Sequence, residues 1–233
     1  MAILDLVTRK LQRSKESPAA NCRRRFLGFF PRGFVDPKYL AWERNYKAEA
    51  HDEWQRVLGR NNFRSLLKSK KYIEIASAAA KIESRTNLLF SFEKMAFRDA
   101  VREIKGARIF AEGLYELLYG GGSEANKFDA WCQVIASLPR KQTRVLTHPV
   151  VTIFPFIAAP DRHIFLKPNT TRAAARDYGF NLNYNPRPSW EVYSSLLDFT
   201  ETIRFDTADL APRDMIDVQS FIWVVGSDEY KNF

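Results

Sequence analysis

Apolar residues recur at three- and four-residue spacing in one segment of this chain after another, and no segment shows the two-residue alternation of a half-buried strand. Tyr72 to Glu83 carries Ile75, Ala79 and Ile82 in this rhythm. Thr86 to Lys105 carries Leu88, Phe92, Met95, Ala96 and Ala100, and Glu124 to Leu138 carries Phe128, Trp131 and Ile135. A stripe of this period is buried only when the segment is a helix packed on other helices. The expected fold class is all-α or nearly so, a multi-helix globular bundle.

Local signals place further helices. Asp36 followed by Pro37 gives a side-chain acceptor at the cap and proline at the first helical position. The helix they start carries Tyr39, Trp42, Tyr46, Trp54 and Val57 as an inner aromatic stripe and ends at Gly59, Asn61 and Asn62. Gly106 to Tyr119, Asn169 to Tyr178 and a segment from Ser189 to about Phe205 are also expected to be helical. Pro212 opens a last helix that is apolar all round and so belongs in the interior. Residues 2–16 fit a short amphipathic helix, and Arg23 to Phe34 reads as an irregular arm in which cations alternate with aromatics. The expected organisation is a basic N-terminal helix and arm over 1–35 and a helical globular domain over 36–233. The only glycine run, Gly120 to Gly122, is either a boundary between lobes 36–119 and 123–233 or a loop within one domain.

With 45% hydrophobic and 27% charged residues the chain has the composition of a globular protein and not of a disordered one. Cys22 and Cys132 show no pairing pattern, which suits reduced thiols in a cytoplasm. The first residues run from apolar to basic, the reverse of a secretory leader, and the longest apolar run, Val145 to Ala159, is broken by His148, Pro149 and Pro155. No membrane passage is expected. Net charge is +9, unevenly placed: residues 1–105 hold 23 Lys and Arg against 12 Asp and Glu, whereas the remainder holds 13 against 15.

Clustered cations favour polyanions through counterion release and steering. The candidate nucleic-acid-binding residues are Arg23, Arg24 and Arg25 in the arm, then Arg56, Arg60, Arg64 and Lys68 at four-residue spacing, Lys70 and Lys71 beyond them, and Arg98 and Arg102 on a later ridge. No acid occurs from Arg56 to Lys71. DNA is the favoured partner over RNA, an acidic protein partner is the alternative, and a hydrolase acting on nucleic acid is the third reading. For hydrolysis the candidate catalytic acids are Asp214 and Asp217, three residues apart in an apolar helix, where a carboxylate has to be either paired or functional. Neither GxGxxG nor GxxxxGK[ST] occurs, and His51, His148 and His163 are widely spaced, so no cofactor and no metal site is expected.

Two stretches carry resemblances. Leu138-Pro139, the apolar helix after it, Phe156 to Phe165 and Thr170 to Phe180 together resemble the second half of the helix-hairpin-helix DNA glycosylase superfamily. The resemblance implies a helical DNA-binding shell. Arg140 and Gln142 stand where that family has hairpin glycines, and Pro168, beside Lys167, stands where it has the catalytic aspartate, so it implies no glycosylase chemistry here. The phrases IESRTNLLFSFEKMAFRDAV and DMIDVQSFIWV resemble an uncharacterised bacterial helical protein family, which implies no activity.

Overall fold

The computed structural model describes residues 17–139 and 145–230. The amphipathic segment expected at 2–16 and the hairpin positions Arg140 and Gln142 lie outside the described residues. The helices in chain order are α1 (Pro18–Phe29), α2 (Asn45–Leu58), α3 (Arg60–Lys68), α4 (Tyr72–Glu83), α5 (Ser91–Ala100), α6 (Ile104–Tyr119), α7 (Glu124–Ser137), α8 (His148–Ala158), α9 (Pro168–Tyr178), α10 (Trp190–Asp206) and α11 (Met215–Gly226). A single turn, Pro37–Tyr39, and a π-helical stretch, Leu40–Arg44, lead directly into α2. No strand occurs among the described residues, and the fold is all-α as the periodicity required.

Helix α8 is the hub, buried at every residue and packed against α2, α4, α5, α6 and α7. It contains Pro155, whose missing N–H leaves the Val151 carbonyl without its helical donor. The Trp131 indole on α7 donates to that oxygen at 2.8 Å. At the other end of α8, His51 Nδ1 and Gln55 Nε2 of α2 donate to the carbonyls of Ile157 and Ala158, each at 2.8 Å. Orphan acceptors at a proline and at a helix end are thus closed by side chains of two neighbouring helices.

Helix α11 is the second hub, packed on α9, α10, α1 and the π-helical stretch. Its crossing with α9 is close enough that a Cβ on Gly226 would lie 2.1 Å from the Thr170 carbonyl oxygen, so only glycine fits there. Asp214 caps α11 by accepting from the Ile216 and Asp217 amides, and the helix starts at Met215, not at Pro212. Gly120–Gly122 join α6 to α7, which pack on one another, and the buried apolar residues on both sides of the glycines form one core cluster.

Three expectations need correction. The arm from Arg23 to Phe34 is mostly helix: Ser17 caps α1 by accepting from the Ala20 amide, Pro18 takes the first position, and Phe26, Phe30 and Phe34 are buried. The Ser17-Pro18 pair is a helix start, with the cap acceptor and the proline in their favoured positions. The segment Thr86 to Lys105 is not one helix: Thr86 donates back to the Glu83 carbonyl and the Glu93 carboxylate accepts from the Phe90 amide, which delays α5 to Ser91, and α5 ends at Ala100 before α6 begins at Ile104. Phe92 and Met95, placed inward by a continuous helix, are 48% and 60% exposed. Trp42 is also outside, because the wider π turn shifts the helical phase. The inward stripe runs Tyr39, Glu43, Lys47, Ala50, Trp54 and Leu58.

Candidate nucleic-acid interface

Gly59, extended at ψ 155°, ends α2, and its carbonyl accepts from the Phe63 amide to open α3. The break leaves Arg56 on α2, while Arg60, Arg64 and Lys68 remain a regular i, i+4 row on α3. Phe63 is buried and Leu66 and Leu67 are half-buried, so the row of cations stands on the opposite, exposed side. Adjacent members are like charges one turn apart, an arrangement that costs about 0.2–0.5 kcal/mol per pair. Arg64, Lys68 and Lys70 have no ion-pair partner among the described residues, and the Arg60 guanidinium lies over the Tyr119 ring at 5.5 Å.

The chain then turns through Lys70 at φ 55°, where the Lys70 and Lys71 amides donate back to the Leu67 and Leu66 carbonyls. That left-handed position is one glycine fills without strain, and a lysine there costs about 1–2 kcal/mol. Lys71 ends the run in an ion pair with Glu74 at 3.1 Å.

The remaining sequence candidates sit elsewhere. Arg56 turns back onto Glu53 at 2.6 Å. Arg98 and Arg102 line, with Lys81, a groove of about 440 Å³ bordered by α4 and α5, and Arg102 is paired with Asp99 at 2.9 Å. Helix α4 packs on both α3 and α5, so ridge and groove share one supporting helix. Arg23, Arg24 and Arg25 do not join them. They lie on α1, which packs on α9 and α11; Arg23 makes a bidentate pair with Asp209 at 2.6 Å, Arg24 bonds Asn21 at 2.5 Å and Arg25 faces Asp177 at 3.6 Å.

Asp214 and Asp217 are held by cations on every side. Arg44 donates to both carboxylates, at 2.7 Å and 2.8 Å. Asp217 is fully buried and also accepts from the Tyr39 hydroxyl at 2.5 Å, from the Arg213 amide at 2.8 Å and from the Arg213 guanidinium at 2.9 Å. Burial pushes the Asp214 carboxyl upward, but the Arg44 hydrogen bond and charge outweigh it and hold the group below the ordinary aspartate value. Burial, with the neighbouring Asp217 charge, pushes the Tyr39 phenol well up. Acids so fully engaged fasten the π-helical stretch to α11, with no oxygen of Asp217 left to receive a metal or a water. No cluster of three or more potential metal ligands occurs among the described residues.

Sequence reasoning missed Glu43 and Lys47, a buried pair beside that cluster, with Lys47 Nζ 3.2 Å from Glu43 and 2.8 Å from the Ser220 hydroxyl. Their four-residue spacing was legible, but that spacing does not distinguish a buried pair from an exposed one. In the stretch that resembles the glycosylases, Pro168 takes the first position of α9, the Lys167 ammonium donates to the Leu88 carbonyl at 2.7 Å, and Gly179 ends the helix at φ 78°. No helix among the described residues is long and apolar enough to cross a membrane. No family model matches the chain, and neither a curated protein nor a solved structure is significantly similar to it.

Proposed function

We propose that this protein binds nucleic acid, DNA in preference to RNA, through the α3 ridge of Arg60, Arg64, Lys68 and Lys70, without acting on it chemically. The observation that carries the reading is the acid-free stretch between Glu53 and Glu74, whose central helix holds cations in a row with no anion to neutralise them. Cations four residues apart rise about 6 Å along the helix, so they can lie beside separate phosphates, and each neutralised phosphate releases counterions. Arg98 and the α4–α5 groove are secondary candidates, bordered by α4, which also packs on α3. Arg23 to Arg25 are outside the reading: Arg23 and Arg25 pair with Asp209 and Asp177 of the C-terminal segments, and Arg24 bonds Asn21 of its own helix.

An acidic protein partner would use the same cations, and a hydrolase would need Asp214 and Asp217 free. The engagement of both acids by Arg44 argues against the second. The test is fluorescence anisotropy with a labelled duplex, comparing the natural chain with R60E/R64E/K68E. Exposed charge reversals on α3 leave the buried Phe63 side alone, so an unaltered circular dichroism spectrum accompanies the expected loss of binding. Equal binding by both proteins would refute the proposal.

A further inference from the structure

A second site, independent of the ridge, lies where the π-helical stretch, α11 and the segments before α5 and α9 meet. They line a cleft of about 430 Å³, and Phe90, Lys167 and Trp223 also line a neighbouring cavity of about 390 Å³. Both volumes fall within the range of small-molecule sites. The walls are aromatic: Trp42 and Trp223 from two helices, Tyr46, Phe90 and Phe165. Trp42 and Phe90 remain 53% and 54% exposed, although large apolar side chains usually find cover.

Polar side chains line this cleft as well, among them Asn87, Lys167, Gln219 and Glu229. Gln219 is 3% exposed and lines the cavity, and its amide Oε1 is buried with no hydrogen-bond partner among the described residues. Leaving a buried amide oxygen unpaired is destabilising, and native proteins rarely keep such an atom without a use. The next residue, Ser220, accepts from the buried Lys47 ammonium, whose other acceptor is Glu43, and Glu43 is fixed in turn by the Tyr230 hydroxyl at 2.6 Å. Lys47, Glu43 and Tyr230 also line the cavity. Its floor is therefore a polar network in which the Gln219 amide oxygen alone has no partner among the described residues.

An amide offers an acceptor and a donor in one plane, which matches a heterocycle edge bearing an N–H beside a ring nitrogen or carbonyl. Aromatic walls take the flat faces of such a ring. We infer that this cleft binds a planar nitrogen heterocycle of the nucleobase type, held edge-on by the Gln219 amide and stacked against Trp42. The π-helical stretch is what makes the site, since it turns Trp42 out to the rim and Glu43 in to the floor.

The probes are the four common ribonucleosides and their free bases, titrated calorimetrically into the full chain. Saturable one-to-one binding of at least one of them is expected. Gln219→Leu should weaken it about tenfold or more, the loss of hydrogen bonds to a buried amide. Because this change removes an unpaired buried oxygen, its melting temperature should equal or exceed that of the natural chain, which separates a lost contact from lost folding. Trp42→Ala, at an exposed position, should also weaken binding, and neither variant should change duplex binding by the α3 ridge. Absence of saturable binding with every probe, or undiminished affinity in Gln219→Leu, would overturn the inference.

Discussion

The Trp131 indole donates to the Val151 carbonyl, the oxygen that Pro155 leaves without a helical partner at the centre of the molecule. Both residues are buried, so this single bond ties α7 to α8 and satisfies an acceptor that no water reaches. Trp131→Phe should therefore destabilise the fold by about 1–3 kcal/mol. In a Pro155→Ala background the new amide can donate to Val151, and the same change should cost less. Equal costs in urea denaturation of the two backgrounds would show that the carbonyl is not what the indole serves.

Asp217 is the most heavily engaged carboxylate described, with Arg44, Arg213 and Tyr39 all donating to it. Asp217→Asn keeps the volume but leaves two guanidiniums facing a neutral amide, and the expected loss is about 3–5 kcal/mol. A catalytic acid would give the opposite result, with stability kept or raised when it is neutralised. Chemical denaturation of the variant separates the two.

Burial holds the His163 imidazole down at about 4, helped by the charge of Arg162. The unfolded imidazole titrates near 6.5. Between those values the unfolded chain binds the proton that the folded chain refuses, so stability is full above about pH 6.5 and falls as pH drops toward about 4. His163→Gln should flatten that part of the stability-against-pH curve. An unchanged slope between pH 7 and pH 4.5 would mean that other groups set it.

The proposed ridge predicts a trade-off at Lys70. Replacing it with glycine relieves the left-handed backbone at φ 55° and should raise stability by about 1 kcal/mol while weakening duplex binding through the lost cation. Thermal denaturation and anisotropy on the same sample read both. A variant that is more stable and binds as well as the natural chain would place Lys70 outside the interface.

Much of the fold could be read from spacing alone. The α4 bounds, Tyr72 and Glu83, follow from the apolar period, and the helix starts at Asp36 and Ser189 are ones a sequence declares. What spacing hides is phase. The π-helical stretch carries Trp42 outward and Glu43 and Lys47 inward, and no local signal marks that extra residue in the turn. Ion pairing is hidden for another reason: Arg23 meets Asp209 and Arg44 meets Asp214 across more than 150 residues, so a count of cations cannot tell a free one from a buried strut. The α3 row escapes this limit because its surroundings in sequence contain no acid.

The central claim, a polyanion-binding ridge on α3, is tested most directly by measuring duplex affinity against salt concentration for the natural chain and for R64A. A neutralised phosphate contributes about 0.9 to the slope of log affinity against log salt. The account predicts a steep negative slope for the natural chain, reduced by about 1 in R64A. A flat dependence in the natural chain, or the same slope in both proteins, would contradict it.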